Sequence, residues 1–278
     1  MSKHLKILNS QYLDDYSSKL NIDWLAVFNT LKVKKKYTTE DFEYYIQASA
    51  AYSSNIEGNS IDIDTYLKNK RFNVKSKPKE MAEIDDLIEA YNFAIKTELT
   101  QKSFLESHKI LSKTILSLKT QRGKLRNQQV GIFSKGKVEY MAVEPEFVKE
   151  EISKLFSDIK ELISRDLSYK EVFYYASMIH LLFEKIHPFM DGNGRAGRLL
   201  EKWFLSEKIG ENACEDISNY DISIPGEVRK DTGTTLVEDL GANAGTGCFG
   251  FEVSGGTNVL VVTHGAKLET WPATGTFT

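Results

Sequence analysis

The chain has 278 residues, 41% apolar and 27% charged, a balance that gives a core for one domain with extensions or two modest domains and excludes a disordered chain. Its 36 basic and 39 acidic residues leave a net charge of −3, so no nucleic acid held by a broad electrostatic grip is expected. The longest apolar run, Val172 to Phe183, contains Ser177 and His180 and falls short of the roughly 20 residues of a membrane span.

From the N-terminus, Met-Ser-Lys-His-Leu-Lys lacks the apolar stretch of a secretory leader, so the expectation is a cytoplasmic protein without a membrane partner. Residues 1–37 read as a helical region around Trp24. A helix is expected from Thr38 to about Asn55, with Thr38 and Asp41 in capping-box spacing. The Lys-rich stretch from Lys68 to Lys79 reads as a solvated loop. A helix opening at Pro78 carries Met81, Ile84, Leu87, Ile88, Tyr91 and Ile95 as a buried stripe. Ser103 and Glu106 suggest a capping box before Leu111 and Ile115, and Pro145 opens a helix with the stripe Phe147, Val148, Ile152, Leu155, Phe156, Ile159 and Leu162. Between these two, Gln128 to Val143 places β-branched and aromatic residues around Ser-Lys-Gly-Lys and predicts the one hairpin of the core, with Lys135 and Lys137 at its tip. Two further helices, Tyr169 to Ile186 and Gly194 to Ile209, flank a short loop.

The fold class is therefore mainly α, a helical bundle over residues 38–224 with a small hairpin. From Pro225 the composition changes: Ile, Tyr and Met vanish, and Gly takes 10 of the last 54 positions. Residues 225–278 read as a small β appendage, a disordered extension or a segment of different origin. Cys214 and Cys248 have no paired spacing, so neither a disulfide framework nor a cysteine zinc cluster is expected.

The loop Ile186-His-Pro-Phe-Met-Asp-Gly-Asn-Gly-Arg-Ala-Gly-Arg198 concentrates chemistry. Gly192 and Gly194 permit a backbone that exposes N–H groups at a helix N-terminus, where the potential is positive and phosphate binds. Arg195 and Arg198, three apart, suit a polyphosphate. Asp191 is placed to hold Mg²⁺, and His187 to accept a proton near neutral pH. Taken singly, each has a plainer reading: a packing His before Pro, a Gly-Asn-Gly turn, a solvated Arg face, an acidic residue favouring a helix start. No Gly-x-x-x-x-Gly-Lys-Ser/Thr loop is present, which argues against a Walker-type kinase.

His187 to Arg198 matches at every specified position the signature His-Pro-Phe-x-(Asp/Glu)-Gly-Asn-Gly-Arg-x-x-Arg, and the chain thereby resembles the Fic family. The resemblance implies a Fic-type helical bundle and transfer of AMP from ATP, with Mg²⁺, to a Ser, Thr or Tyr hydroxyl of a protein target or of the chain itself. It implies His187 as general base, Asp191 on the metal, Gly192, Asn193 and Gly194 as anion hole, and Arg195 and Arg198 on the β- and γ-phosphates. Phe189 would anchor the loop. A homo-oligomer is a further expectation.

Ser53-Ser-Asn-Ile-Glu57-Gly58 reads by itself as a helix C-cap, with Gly58 in a left-handed turn. It also resembles the Ser-x-x-x-Glu-Gly inhibitory motif of one branch of that family, in which Glu57 would pair with Arg198 and displace the γ-phosphate. The same resemblance admits a de-adenylylase in which Glu57 directs water. A third reading, a nucleotide-sensing interaction module with slow self-modification, stays open. The hairpin falls where the family has its target-binding flap, so that Lys137, Val138, Glu139 and Tyr140 would hold a target segment by strand addition; Arg126 and Tyr140 fit the loose family pattern there. The plain alternative is a hairpin that covers the core. Relatives with such an inhibitory segment often end in a winged helix, which the tail does not resemble.

Overall fold

The computed structural model describes residues 4–19, 39–73, 77–134 and 137–209, together with the backbone of 220–224, 227–230, 247–253, 257–264 and 267–272. The region around Trp24, the cap at Thr38, the tip residue Lys135 and Cys214 lie outside the described residues. So do the side chains of Lys137, Val138, Glu139 and Tyr140.

The described helices are α1 (Leu13–Lys19), α2 (Thr39–Ile56), α3 (Ile63–Phe72), α4 (Pro78–Ile95), α5 (Gln101–Leu111), α6 (Pro145–Ser164), α7 (Tyr169–Ile186) and α8 (Asn193–Ile209). The fold is mainly α, as the periodicity of the apolar residues implies. Among the described residues no helix is long and apolar enough to cross a membrane. Pro78 and Pro145 occupy first-turn positions of α4 and α6, where the missing N–H costs nothing. Ser168 and Glu171 form a reciprocal capping box at the start of α7.

Three local expectations are corrected. The capping box of α5 is Thr100 with Ser103, not Ser103 with Glu106: the helix starts earlier, so Ser103 stands at its third position and its Oγ accepts the Thr100 N–H at 2.9 Å. The Lys-rich stretch is not one loop, since Lys68 and Lys70 belong to α3, opened by Asp62 accepting from Thr65 N at 2.7 Å. Phe147 is exposed, while Val148, Ile152, Leu155, Phe156, Ile159 and Leu162 are buried; Phe147 lies in the first turn of α6, off the buried stripe.

The core gathers Ile84 and Leu87 of α4, Phe104 and Leu111 of α5, Leu155 and Ile159 of α6, Ile179 and Phe183 of α7, and Leu200 and Phe204 of α8. α7 and α8 pack along each other beneath the loop that joins them, and Gly197 brings them close: a Cβ there would strike Phe183 and Glu184. α2 lies against α4 and α8, tied by Lys202 Nζ donating to Ser49 Oγ at 2.8 Å. The expected hairpin is present as β1 (Gly131–Ser134) and β2 (Lys137–Met141), paired antiparallel with Ser134 opposite Lys137. Ile132 faces Tyr140 and Phe133 faces Val138, so Glu139 is the extra residue of a bulge. Beyond the bundle, β3 (Tyr220–Ile224) pairs with β4 (Glu227–Lys230) across the expected boundary at Pro225. β5 (Gly247–Val253), β6 (Thr257–His264) and β7 (Lys267–Pro272) form an antiparallel sheet, the strand reading of the tail.

The N-terminal segment is fastened by one buried carboxylate. Asp158 on α6 accepts the backbone N–H of Lys6 (2.7 and 2.9 Å to its two oxygens), Ile7 (2.8 Å) and Leu8 (2.9 Å), placing Leu8 in the core. Charged hydrogen bonds of this kind contribute more than neutral ones. Asp158→Ala should cost about 1.5–3 kcal/mol, read as a lowered urea midpoint at constant slope. Lys154→Ala, which removes exposed ion pairs on the same helix, should change stability by less than about 1 kcal/mol.

Candidate active site

α7 ends where the sequence demands it. His187 precedes a proline, which disfavours helical backbone, and it adopts a left-handed conformation (φ 50°, ψ 61°) while its N–H still reaches Phe183 O at 2.8 Å. Such backbone in a non-glycine residue costs of order 1 kcal/mol and persists only where neighbours enforce it. Arg126 is the enforcing neighbour. Its buried guanidinium donates to His187 O (2.7 Å), Ile186 O (3.1 Å), Val143 O (2.5 Å) and Gln128 O (2.8 Å), and its backbone N–H to Pro188 O (2.8 Å). The carbonyls at the end of α7, which have no helical partners, are thus tied to both feet of the hairpin.

Phe189 is fully buried, stacked on the His108 ring at 3.5 Å with an interplanar angle of 4°. Asn193 brackets it: the amide oxygen accepts from Phe189 N at 2.9 Å and the amide nitrogen donates to Phe189 O at 3.0 Å. The side chain of Asn193 therefore braces the loop, and only its backbone N–H joins the helix start. Gly192 takes φ 80°, and a Cβ there would press on Leu111. Beneath it, His108 accepts from Gly123 N through Nδ1 and lies 3.0 Å from Asp191 O through Nε2. The first contact makes Nδ1 the acceptor, so the ring proton sits on Nε2. Burial pushes the His108 pKa down to about 4, against the opposing pull of the Asp191 carbonyl. Asp191 itself is exposed, one carboxylate oxygen taking the Gly192 N–H at 2.6 Å.

The first N–H groups of α8, those of Asn193, Gly194 and Arg195, have no partners within the helix and carry its positive potential. A carboxylate lies beside this helix start: a Cβ on Gly194 would collide with the Glu57 carboxyl group. Glu57 stands at the end of α2 in a Schellman turn, with Asn59 N to Ser54 O at 3.1 Å, Gly58 N to Asn55 O at 2.9 Å and Gly58 at φ 90°. The C-cap is therefore real, and it aims Glu57. Arg198 Nη2 donates to Glu57 Oε1 at 2.7 Å and to Ser53 O at 2.9 Å, while its Nε donates to Ser53 Oγ at 2.8 Å.

The structure thus gathers His187, Asp191, Gly192, Asn193, Gly194, Arg198, Ser53 and Glu57 around the start of α8. Arg195 diverges. It is buried and reaches Glu83 Oε2 of α4 at 3.3 Å, so the two arginines engage different carboxylates rather than one shared anion. Lys137, Val138, Glu139 and Tyr140 lie on β2, described through their backbone alone. Sequence reasoning missed the bracing duties of Arg126 and His108; both act over long separations, and neither has a local spacing signal.

Residues 98–205 match the Fic/DOC family, a segment that contains the whole loop but not α2. A Fic family protein from Desulfovibrio desulfuricans G20 shares the fold (TM-score 0.52, 20% identity, covering 77% of this chain and 66% of that one). So does a Fic domain containing signaling protein from Bacteroides thetaiotaomicron VPI-5482 (TM-score 0.52, 20% identity, 71% and 73% covered). This chain spans just under two thirds of the first of these. No curated protein matches it.

The neutral His108 makes the loop acid-sensitive. Its folded pKa lies below its ordinary value of 6.5, so its contribution is complete above pH 6.5 and is lost as pH falls toward 4. The slope approaches about 1.4 kcal/mol per pH unit within that window. His180 has the opposite sign: burial disfavours its charge, but Glu201 and Glu184 outweigh burial and raise it, so its contribution fades only above pH 6.5. Urea midpoints between pH 4 and 6.5 should fall less steeply for His108→Gln than for wild type.

Proposed function

We propose that the protein is a Fic-domain enzyme that transfers AMP from ATP to a Ser, Thr or Tyr hydroxyl of a protein, itself included, and that Glu57 inhibits it from within. The observation that carries this reading is the Glu57 carboxylate lying on Gly194 and bonded to Arg198. An internal anion occupies the place that a triphosphate would use. The fold and the family match of residues 98–205 support the same reaction class.

In the reaction, the hydroxyl oxygen forms a bond to the α-phosphorus, the bond to the bridging oxygen breaks, and pyrophosphate leaves with the electron pair. His187 takes the hydroxyl proton. The N–H groups at the start of α8 neutralise charge on the phosphates, and Arg198 joins them once Glu57 withdraws. Arg195, now held by Glu83, would have to leave that partner to reach a phosphate.

Asp191 suits a hard cation: an exposed carboxylate, oriented by the Gly192 N–H, beside the phosphate-binding helix start. In this reading Mg²⁺ would be held by this one carboxylate and the phosphates of ATP. When bound there, Mg²⁺ supplies charge neutralisation to the transferring and leaving phosphates.

The same position of Glu57 favours a second reading, in which the carboxylate orients water to release AMP from a modified protein. Wild type, Glu57→Gly and Glu57→Gly with His187→Ala are to be incubated with Mg²⁺ and labelled ATP, and label on the protein or on lysate proteins measured. Glu57→Gly should raise labelling about 10- to 100-fold, the range expected from one charged hydrogen bond. His187→Ala should abolish it. Equal labelling of wild type and Glu57→Gly would remove the brake, and AMP released from pre-labelled protein by wild type would favour the hydrolytic direction.

A further inference from the structure

His187 Nδ1 lies 3.7 Å from Glu184 Oε2, one turn back on α7. Both side chains are about one-quarter exposed, yet His187 Nδ1 and Glu184 Oε1 are themselves buried without a hydrogen-bond partner. Buried polar atoms of that kind are uncommon, and each calls for a reason. The unmet ring nitrogen faces the other oxygen of this carboxylate, Oε2, one turn back. A movement of about 0.5–1 Å brings them to hydrogen-bond distance, and such contacts tighten when a site is filled.

The surroundings confine the pair. α8 passes over Glu184 at Gly197, where any Cβ would meet the Glu184 carboxyl group. His180, one turn further back, already engages Glu201 at 2.7 Å through Nδ1. Arg126 holds the His187 carbonyl from the other side. The His187 backbone and the Glu184 carboxylate are thus held by separate neighbours.

We propose that Glu184 is the positioning residue of His187: its carboxylate accepts the Nδ1 proton of the ring and leaves Nε2 as the atom that takes the substrate proton. A neutral imidazole has one donor and one acceptor nitrogen, and the partner of one decides the chemistry of the other. This inference rests on the role of His187 as base proposed above.

The test reads the ring directly. Protein carrying ¹⁵N-labelled histidine is examined by two-bond ¹H–¹⁵N spectra, with His187→Gln identifying the His187 signals among the five histidines. Wild type should show His187 with its proton on Nδ1; a proton on Nε2 would overturn the proposal without any Glu184 variant. In Glu184→Gln the Nδ1–H to Nε2–H ratio should fall about tenfold, because a charged acceptor is replaced by a neutral one. An unchanged ratio would also overturn it. In the Glu57→Gly background, Glu184→Gln should lower kcat about 10- to 100-fold with the KM for ATP unchanged; a changed tautomer with unchanged kcat rejects the positioning role. Should Glu57→Gly transfer nothing while the tautomer result holds, the transferase reading fails and the positioning of the ring by Glu184 stands.

Discussion

Three consecutive carbonyls, of Ile186, His187 and Pro188, turn inward where α7 gives way to the loop, and Arg126 donates to all of them. A helix C-terminus carries partial negative charge as well as unpaired acceptors, so a buried guanidinium meets both needs with one planar group. Nη1 and the second donor of Nη2 reach Gln128 and Val143 at the feet of the hairpin. The left-handed His187, the exit of the chain toward Asp191 and the base of the hairpin therefore depend on the same side chain. The site cannot be shaped independently of the hairpin beside it.

At the other end of the loop the polarity is reversed. The start of α8 offers N–H groups and positive potential, and it is met by Glu57 delivered on the Schellman turn of α2. The two contacts on Arg198 are unequal in kind. Ser53 holds it through a hydroxyl and a backbone carbonyl, whereas Glu57 holds it through a flexible carboxylate that is one-third exposed. Under the proposed function a triphosphate would have only to displace the carboxylate. Arg198 would stay oriented by Ser53, so the proposed inhibition would be relieved by a side-chain movement without unseating α2, which Lys202 and Ser49 keep against α8.

The features legible in the sequence were those written locally. The glycines and proline of the loop, the Schellman glycine at position 58 and the apolar stripes of α4, α6 and α7 are all patterns readable within a few residues. What escaped were contacts across long separations: Arg126 to His187, His108 to Asp191, Arg195 to Glu83. Asn193 illustrates the boundary. Its place at the helix start was readable, but its amide turns back to Phe189, because burial beside a fully enclosed phenyl ring leaves that backbone pair as the available partner. The α5 cap was misplaced by three residues because Ser103 serves either position of a capping box equally well by type.

The bracing also divides by charge. On the side facing α5, the groups under the loop are an amide, backbone carbonyls and an imidazole kept neutral by burial. Asp191 and Arg198 with its partner Glu57 stand at the mouth. A charged brace at position 108 would sit directly beneath the Asp191 carbonyl and add a fixed field there. Because desolvation disfavours the protonated His108, the support is mechanical, and the charge at the mouth is left to Asp191, Arg198 and Glu57; under the proposed function, Arg198 would exchange the carboxylate of Glu57 for a phosphate.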